Sequence, residues 1–202
     1  MSEELKYSNF KFVYSRPACN NVPECSVYEC DSFEEEKRTW NIVKKYHITQ
    51  PEDLDFVVSE LQVLLSFQHE NVLELKSYFP VPSLNEMWYV FKGSNAQFSR
   101  YGTLKIDQSN TDLNNAFIFD IVSALQYVVK SKHQLRTRVS QVQFFKFHNI
   151  SSPFPTLKFL FEMEFSTNEK DANFNYTAPE ALFGKTTDLS YLWGVGVIFS
   201  IV

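Results

Sequence analysis

Residues 49–65 carry the strongest helical signal in the first half of the chain. Thr49 stands three residues before Glu52 in a capping-box pattern, and Pro51 suits a first helical turn. Leu54, Val57, Val58, Leu61, Leu64 and Leu65 then recur at helical spacing. The flanks of this helix read differently. FKFVY at 10–14, CSVYEC at 25–30 and TWNIVKKYHI at 39–48 precede it, and VLELKSYF at 72–79 and EMWYVFKG at 86–93 follow it. Each is rich in β-branched and aromatic residues and is bounded by polar, turn-like stretches. The pattern predicts a five-stranded antiparallel sheet with a single helix inserted after its third strand.

A polar loop at 94–111 leads to a second strong helix over residues 112–131, in which Leu113, Phe117, Ile121, Leu125 and Val128 form one apolar stripe. Short strands are expected at VQFFKF and TLKFLFEMEF, followed by a loop rich in Asn and Asp and then TAPEALFGKTTDLSYLWGVGVIFSIV. The composition shift near residues 94–110 marks a boundary between two lobes. The chain has no internal repeat and no low-complexity tract.

With 202 residues, 44% of them hydrophobic and 16% aromatic, the chain can bury a substantial core, which argues against intrinsic disorder. A net charge of −5 without a basic run longer than a pair argues against nucleic acid or an anionic membrane as partner. The start, MSEELKYSNF, lacks the basic end and apolar stretch of a secretory signal, and no run approaches the length of a membrane span. These features lead to an expected location in the cytoplasm, with the nucleus as the second compartment. Cys19, Cys25 and Cys30 are odd in number and lack a CxxC pair, which fits reduced thiols rather than disulfides or a zinc site. There are five glycines and none precedes Gly93, so a function that needs a glycine loop early in the chain is disfavoured.

The element order and several local stretches resemble protein kinases. NIVKK at 41–45 resembles the third-strand motif, which makes Lys44 the phosphate-pairing lysine. SELQVLLSFQHENVLEL at 59–75 resembles the end of the C-helix and its exit, with Glu60 nine residues before His69, the family's usual interval. YTAPEALFG at 176–184 resembles the end of an activation segment, and LWGVGVIFS at 192–200 the start of the buried F-helix. Together they cover about residues 10–202. The resemblance implies an α+β, two-lobed, protein kinase-like fold. Residues 1–93 would form an N-lobe of five antiparallel strands plus the C-helix, residues 94–111 a hinge and linker, and residues 112–202 a mainly helical C-lobe truncated after the F-helix.

Lys44 and Glu60 are the candidate cofactor-binding residues, or else a structural ion pair. Glu60 lies on the flank of the apolar stripe, three residues from Val57 and four from Leu64, where a carboxylate turned towards the sheet would need a cation. Lys44 on the adjacent strand is that cation. The alternative is that Glu60 reaches solvent and Lys44 is an exposed strand residue beside Lys45.

The same resemblance locates the catalytic devices and finds them altered. Laying LRTRVSQVQFF on the kinase catalytic loop puts Thr137 at the base and Val142 at the metal-binding Asn. Thr is no base near neutral pH and Val has no ligand atom. In TLKFLFEMEFS the metal-binding Asp is replaced by Phe161, followed by Glu162 and Met163, although Glu162 and Glu164 keep a carboxylate close by. RPACNNVPECS at 16–26, where a nucleotide-covering loop belongs, has no glycine, and bulky side chains there hold backbone amides away from phosphates. A positioned base alone is worth roughly 10²–10⁴ in rate. The pattern resembles a pseudokinase, which implies no catalytic residue, no metal site and weak or absent ATP binding. SELQVLLSFQHENV and NEMWYVFKGSNAQFSRYGTL resemble STRAD-type adaptors, which implies a protein partner, with an active protein kinase as the candidate.

Two alternatives stay open at this stage. One is a weakly active or nucleotide-binding kinase with relocated groups, using Glu162 or Glu164 for metal and Asp171 as base. The other is a truncated, non-functional fragment. LWGVGVIFSIV is apolar almost all round, as a helix buried on every side would be, and a chain ending there leaves that surface uncovered. That leads to the expectation of a truncated isoform, a fragment, or a partial lobe whose missing wall comes from a partner.

Overall fold

The computed structural model describes residues 6–18, 22–34, 37–95, 101–103, 109–131, 144–147, 155–162, 178–182, 185 and 190–200. The chain divides into two compact units, Met1–Ser66 with Leu73–Arg100 and Phe67–Val72 with Tyr101–Val202.

The first unit is built on strands β1 (Tyr7–Arg16), β2 (Cys25–Glu34), β3 (Lys37–His47), β4 (Leu75–Val81) and β5 (Glu86–Asn95), with helix α1 (Pro51–Ser66) between β3 and β4. They form one five-stranded sheet in the order β1-β2-β3-β5-β4, every pairing antiparallel. β3 is central, and its side chains alternate between two covered faces. Ile42, Lys44 and Tyr46 face α1, which turns Phe56, Val57, Glu60 and Leu64 towards them. The other face carries a second apolar cluster of Tyr7, Cys30, Val43, Phe79, Val81, Trp88 and Val90. Tyr7 on one edge strand stacks on Phe79 of the opposite edge strand at 6.0 Å, so the sheet is curled enough for its edges to meet over this face. Irregular pairing in β1 between Ser8 and Lys11 and between Phe12 and Tyr14, with Asn9 at φ 54°, provides the bending. Across β3 and β5, the backbone of Trp40 comes so near Gly93 that a Cβ there would lie 1.6 Å from the Trp40 carbonyl oxygen. The pairing shifts register at the same point, between Thr39 and Asn41.

The second unit contains β6 (Tyr101–Thr103), α2 (Thr111–Lys130), β7 (Phe144–Phe147), β8 (Thr156–Phe159), α3 (Pro179–Leu182) and α4 (Tyr191–Ser200). The Asn110 side chain caps α2 by accepting from the Leu113 amide at 3.0 Å. α2 buries Phe117, Ile121, Ala124, Leu125 and Val128, while Leu113 at the head of the expected stripe is only half-buried. Asp120 on α2 accepts from the Leu157 amide of β8 at 2.8 Å, and Val72 lies beside β8 in a single parallel bridge with Phe159, whose amide donates to the Asn71 carbonyl at 2.7 Å.

The fold expected for the whole chain needs correction in its second half. A mainly helical C-lobe was expected, yet β6, β7 and β8 pair as a three-stranded antiparallel sheet. Among the described residues the helices beside it are one of 20 residues, one of 10 and a single turn of 4. The reason is the period of two in FFKF and TLKF, which puts Phe145, Phe147, Leu157 and Phe159 on the inner face and pairs the two segments with each other. The end of the chain also differs from expectation. α4 buries Val195 and Ile198 but leaves Leu192 39% and Trp193 47% exposed, so it is a one-sided helix packed on α2 rather than one buried all round. No helix of the described residues is long and apolar enough to cross a membrane.

Candidate functional site

Lys44 and Tyr46 from the middle of β3 and Glu60 from α1 form a buried polar cluster inside the first unit. The Lys44 ammonium lies 3.0 Å from Glu60 Oε1 and 3.2 Å from Oε2, and the Tyr46 hydroxyl donates to Oε2 at 2.6 Å. The ammonium also sits 4.8 Å from the centre of the Tyr46 ring. Both charged side chains have 0% exposure. Lys44 and Tyr46 share a face because they are two residues apart on one strand, with Val27 of β2 and Tyr89 of β5 as neighbours of Lys44 in the pairing.

Glu60 reaches this point because the start of α1 is fixed. Asp53 folds back to accept from the Thr49 amide at 2.8 Å, the Thr49 hydroxyl at 2.9 Å and the Gln50 amide at 3.0 Å. Burial pushes the Asp53 carboxyl upward, but its hydrogen bonds from Thr49 and Gln50 outweigh burial and hold its pKa below the usual carboxylate range. The capping box is therefore set one residue later than Thr49 and Glu52 suggest. Asp53, Phe56, Val57, Glu60 and Leu64 then fall on one buried face. The Tyr89 hydroxyl donates to the Val57 carbonyl in the middle of the helix. Burial, and after it the Glu60 charge, raises the Tyr89 pKa, which keeps the phenol a donor.

This arrangement ties helix to sheet through a desolvated ion pair in which Glu60 accepts from two donors on a single strand.

The other residues singled out in the sequence fall in different places. Phe161 is buried and packs edge-on against Phe67 at 5.0 Å, so its ring fills a core in the second unit. Glu162 beside it is also buried. Thr137, Val142, Met163, Glu164 and Asp171 lie outside the described residues, as do Cys19 and residues 20–21 of the glycine-free stretch. Cys25 and Cys30 are buried and in the thiol form. Burial and the neighbouring Asp31 push the Cys30 thiol up to about 12, against the opposing charges of Lys45 and Lys76. Glu180, in the activation-segment-like stretch, accepts from the Ser190 hydroxyl at 2.8 Å, and its carbonyl accepts from the Lys185 amide. Among the described residues no group of three or more His, Cys, Asp or Glu side chains is placed to hold a metal ion.

Tyr46 is the functional residue that sequence reasoning missed, although its signal was present: it follows Lys44 by one strand period and ends in a donor long enough to reach the same carboxylate. No family model matches the chain, and no curated protein matches it significantly.

Proposed function

We propose that the chain is a catalytically inactive relative of protein kinases that works by binding a protein partner, with an active protein kinase as the candidate, and not by transferring phosphate. The observation that carries this reading is Phe161, whose ring is buried against Phe67 where the kinase pattern has a metal-binding Asp. The Lys44–Glu60 pair is one that active kinases need as well; it holds α1 in one placement on the sheet, and a helix so held is a rigid surface for regulating another protein. The sequence adds Thr137 and Val142 where the kinase pattern has a base and a metal ligand, and Phe161 where it has a second ligand.

The test has two readings on one preparation. Purified protein with labelled ATP, magnesium and a generic substrate is expected to incorporate no more phosphate than a Thr137→Ala control. Kinase activity that co-purifies with the chain from its own cells is expected to drop with Lys44→Met, which loosens α1. Phosphate transfer by the chain itself that disappears in Glu162→Ala would overturn the proposal in favour of an enzyme with relocated carboxylates. So would a complete absence of co-purifying kinase activity.

A further inference from the structure

Helix α1 carries two apolar faces, and the sheet covers only one of them. Asp53, Phe56, Val57, Glu60 and Leu64 turn inward, yet Leu54, Val58 and Leu65 are 44%, 48% and 58% exposed, and Leu61 between them is half-buried. The four are spaced four, three and four residues apart, so they lie in one line along the helix. That alternation is the seam of a two-stranded coiled coil, with Leu54 and Leu61 at its d positions and the β-branched Val58, then Leu65, at its a positions. A second helix is the partner whose side chains recur at the matching interval.

The borders of the seam set the chemistry of that second helix. On one side lie Val57 and Leu64, buried against the sheet; on the other lie Glu52, Asp55, Ser59 and Gln62, all exposed. α1 has no Lys or Arg, so its exposed charge is entirely negative and sits in its first half. A second copy of the chain supplies no counter-charge. A parallel pair brings Asp55 level with its own copy, and an antiparallel pair brings it to a last turn without a basic residue. Each copy also carries a net charge of −5. We propose that the outer seam of α1 receives an amphipathic helix of a partner protein, with an apolar stripe flanked by Lys or Arg opposite Glu52 and Asp55. The inference rests on the reading of the chain as a protein that works by binding another, and it names where and what it binds. Because Glu60 and Asp53 already anchor α1, the seam is presented without an ordering cost at binding.

The experiment titrates the full chain with two synthetic helical peptides of the length of α1 and follows its Leu and Val methyl resonances by NMR. Both peptides have leucine at a and d; one has lysine and the other glutamate at e and g. The lysine peptide is expected to shift the methyls of Leu54, Val58, Leu61 and Leu65, and the glutamate peptide to bind at least about tenfold more weakly. Val58→Asp, at an exposed position, is expected to keep the urea midpoint of wild type and to weaken the lysine peptide about tenfold or more. Asp55→Lys is expected to narrow the preference between the peptides, and it decides alone if Val58→Asp lowers the midpoint. Silent methyls along the seam, equal binding of both peptides, a folded Val58→Asp without effect, or an unchanged preference in Asp55→Lys overturns the proposal. So does a dimer in sedimentation that Val58→Asp dissolves, because the seam then belongs to a second copy. Phosphate transfer by the chain would overturn the preceding reading and leave these shifts as they are, so the two failures are distinguishable.

Discussion

Glu60 accepts from Lys44 and from Tyr46 with no exposed surface of its own, and this sets the cost of removing either donor. Lys44→Met or Glu60→Leu alone strands a buried charge and is expected to cost about 3–5 kcal/mol. The double variant strands none, so its cost should fall well short of the sum. Tyr46→Phe removes one donor and should cost about 1–3 kcal/mol. Urea unfolding of the set measures all of these, and additive single effects would show that the lysine and glutamate do not interact. Asp53 gives a pH-dependent prediction. Its folded pKa is depressed, so the stability it contributes is fully present above the ordinary Asp value and is lost as pH falls through the depressed one. Asp53→Ala is expected to cost about 0.5–2 kcal/mol near neutral pH, and the gap to wild type should narrow only in acid. A gap that stays constant down to strongly acidic pH would mean that the capping carboxylate is not ionised in the fold.

Element positions were the most legible part of the sequence where one face is buried and the period is clear. FKFVY, CSVYEC and TWNIVKKYHI lie within or along β1, β2 and β3, and the stripe from Leu54 to Leu65 lies within α1. Boundaries followed local chemistry that the pattern does not resolve, as with Asp53 taking the role read for Glu52. The junction of β3 and β5 shows the same limit. Gly93 looks like an ordinary strand glycine in sequence, but its missing side chain is what lets the Trp40 backbone approach. Gly93→Ala is expected to force that junction apart and cost about 1–3 kcal/mol, as overpacking does. The check is thermal unfolding together with Trp40 fluorescence. An unchanged midpoint would mean that the close approach relaxes without cost.

At the scale of the whole molecule, the proposed absence of phosphate chemistry predicts a weak response to nucleotide. If ATP with magnesium bound and were present at a hundredfold excess over its dissociation constant, it would stabilise the fold by about 2.7 kcal/mol. For a chain of this size that is a melting shift of roughly 5–10 °C. The expected shift is below about 2 °C and the same in EDTA, because residues 16–26 contain no glycine to bring amides to a phosphate and Phe161 stands where the kinase pattern has a metal-binding Asp. A larger, magnesium-dependent shift would favour a metal held by Glu162 or a carboxylate near it. The second unit was the least legible part of the chain. FFKF and TLKF read as short strands, but pairing them with residues 101–103 depends on segments far apart in sequence, which local periodicity does not encode.

By itself the sequence determined the alternation of strands with a single early helix and the α2 stripe of Phe117, Ile121, Leu125 and Val128, though not the stripe of α1, where Leu54, Val58 and Leu65 are exposed and Phe56 is buried instead. These are matters of period and composition, which each segment carries locally. The tertiary structure decided which charges are paired. Glu60 could have reached solvent or the sheet, and the burial of Phe56, Val57 and Leu64 against the sheet together with the anchoring of α1 by Asp53 brings it to Lys44 and Tyr46. It also decided that adjacent lysines have opposite environments, Lys44 against the Glu60 carboxylate and Lys45 over the rings of Phe10 and Trp88, because a strand turns neighbouring side chains to opposite faces and only packing determines what waits on each.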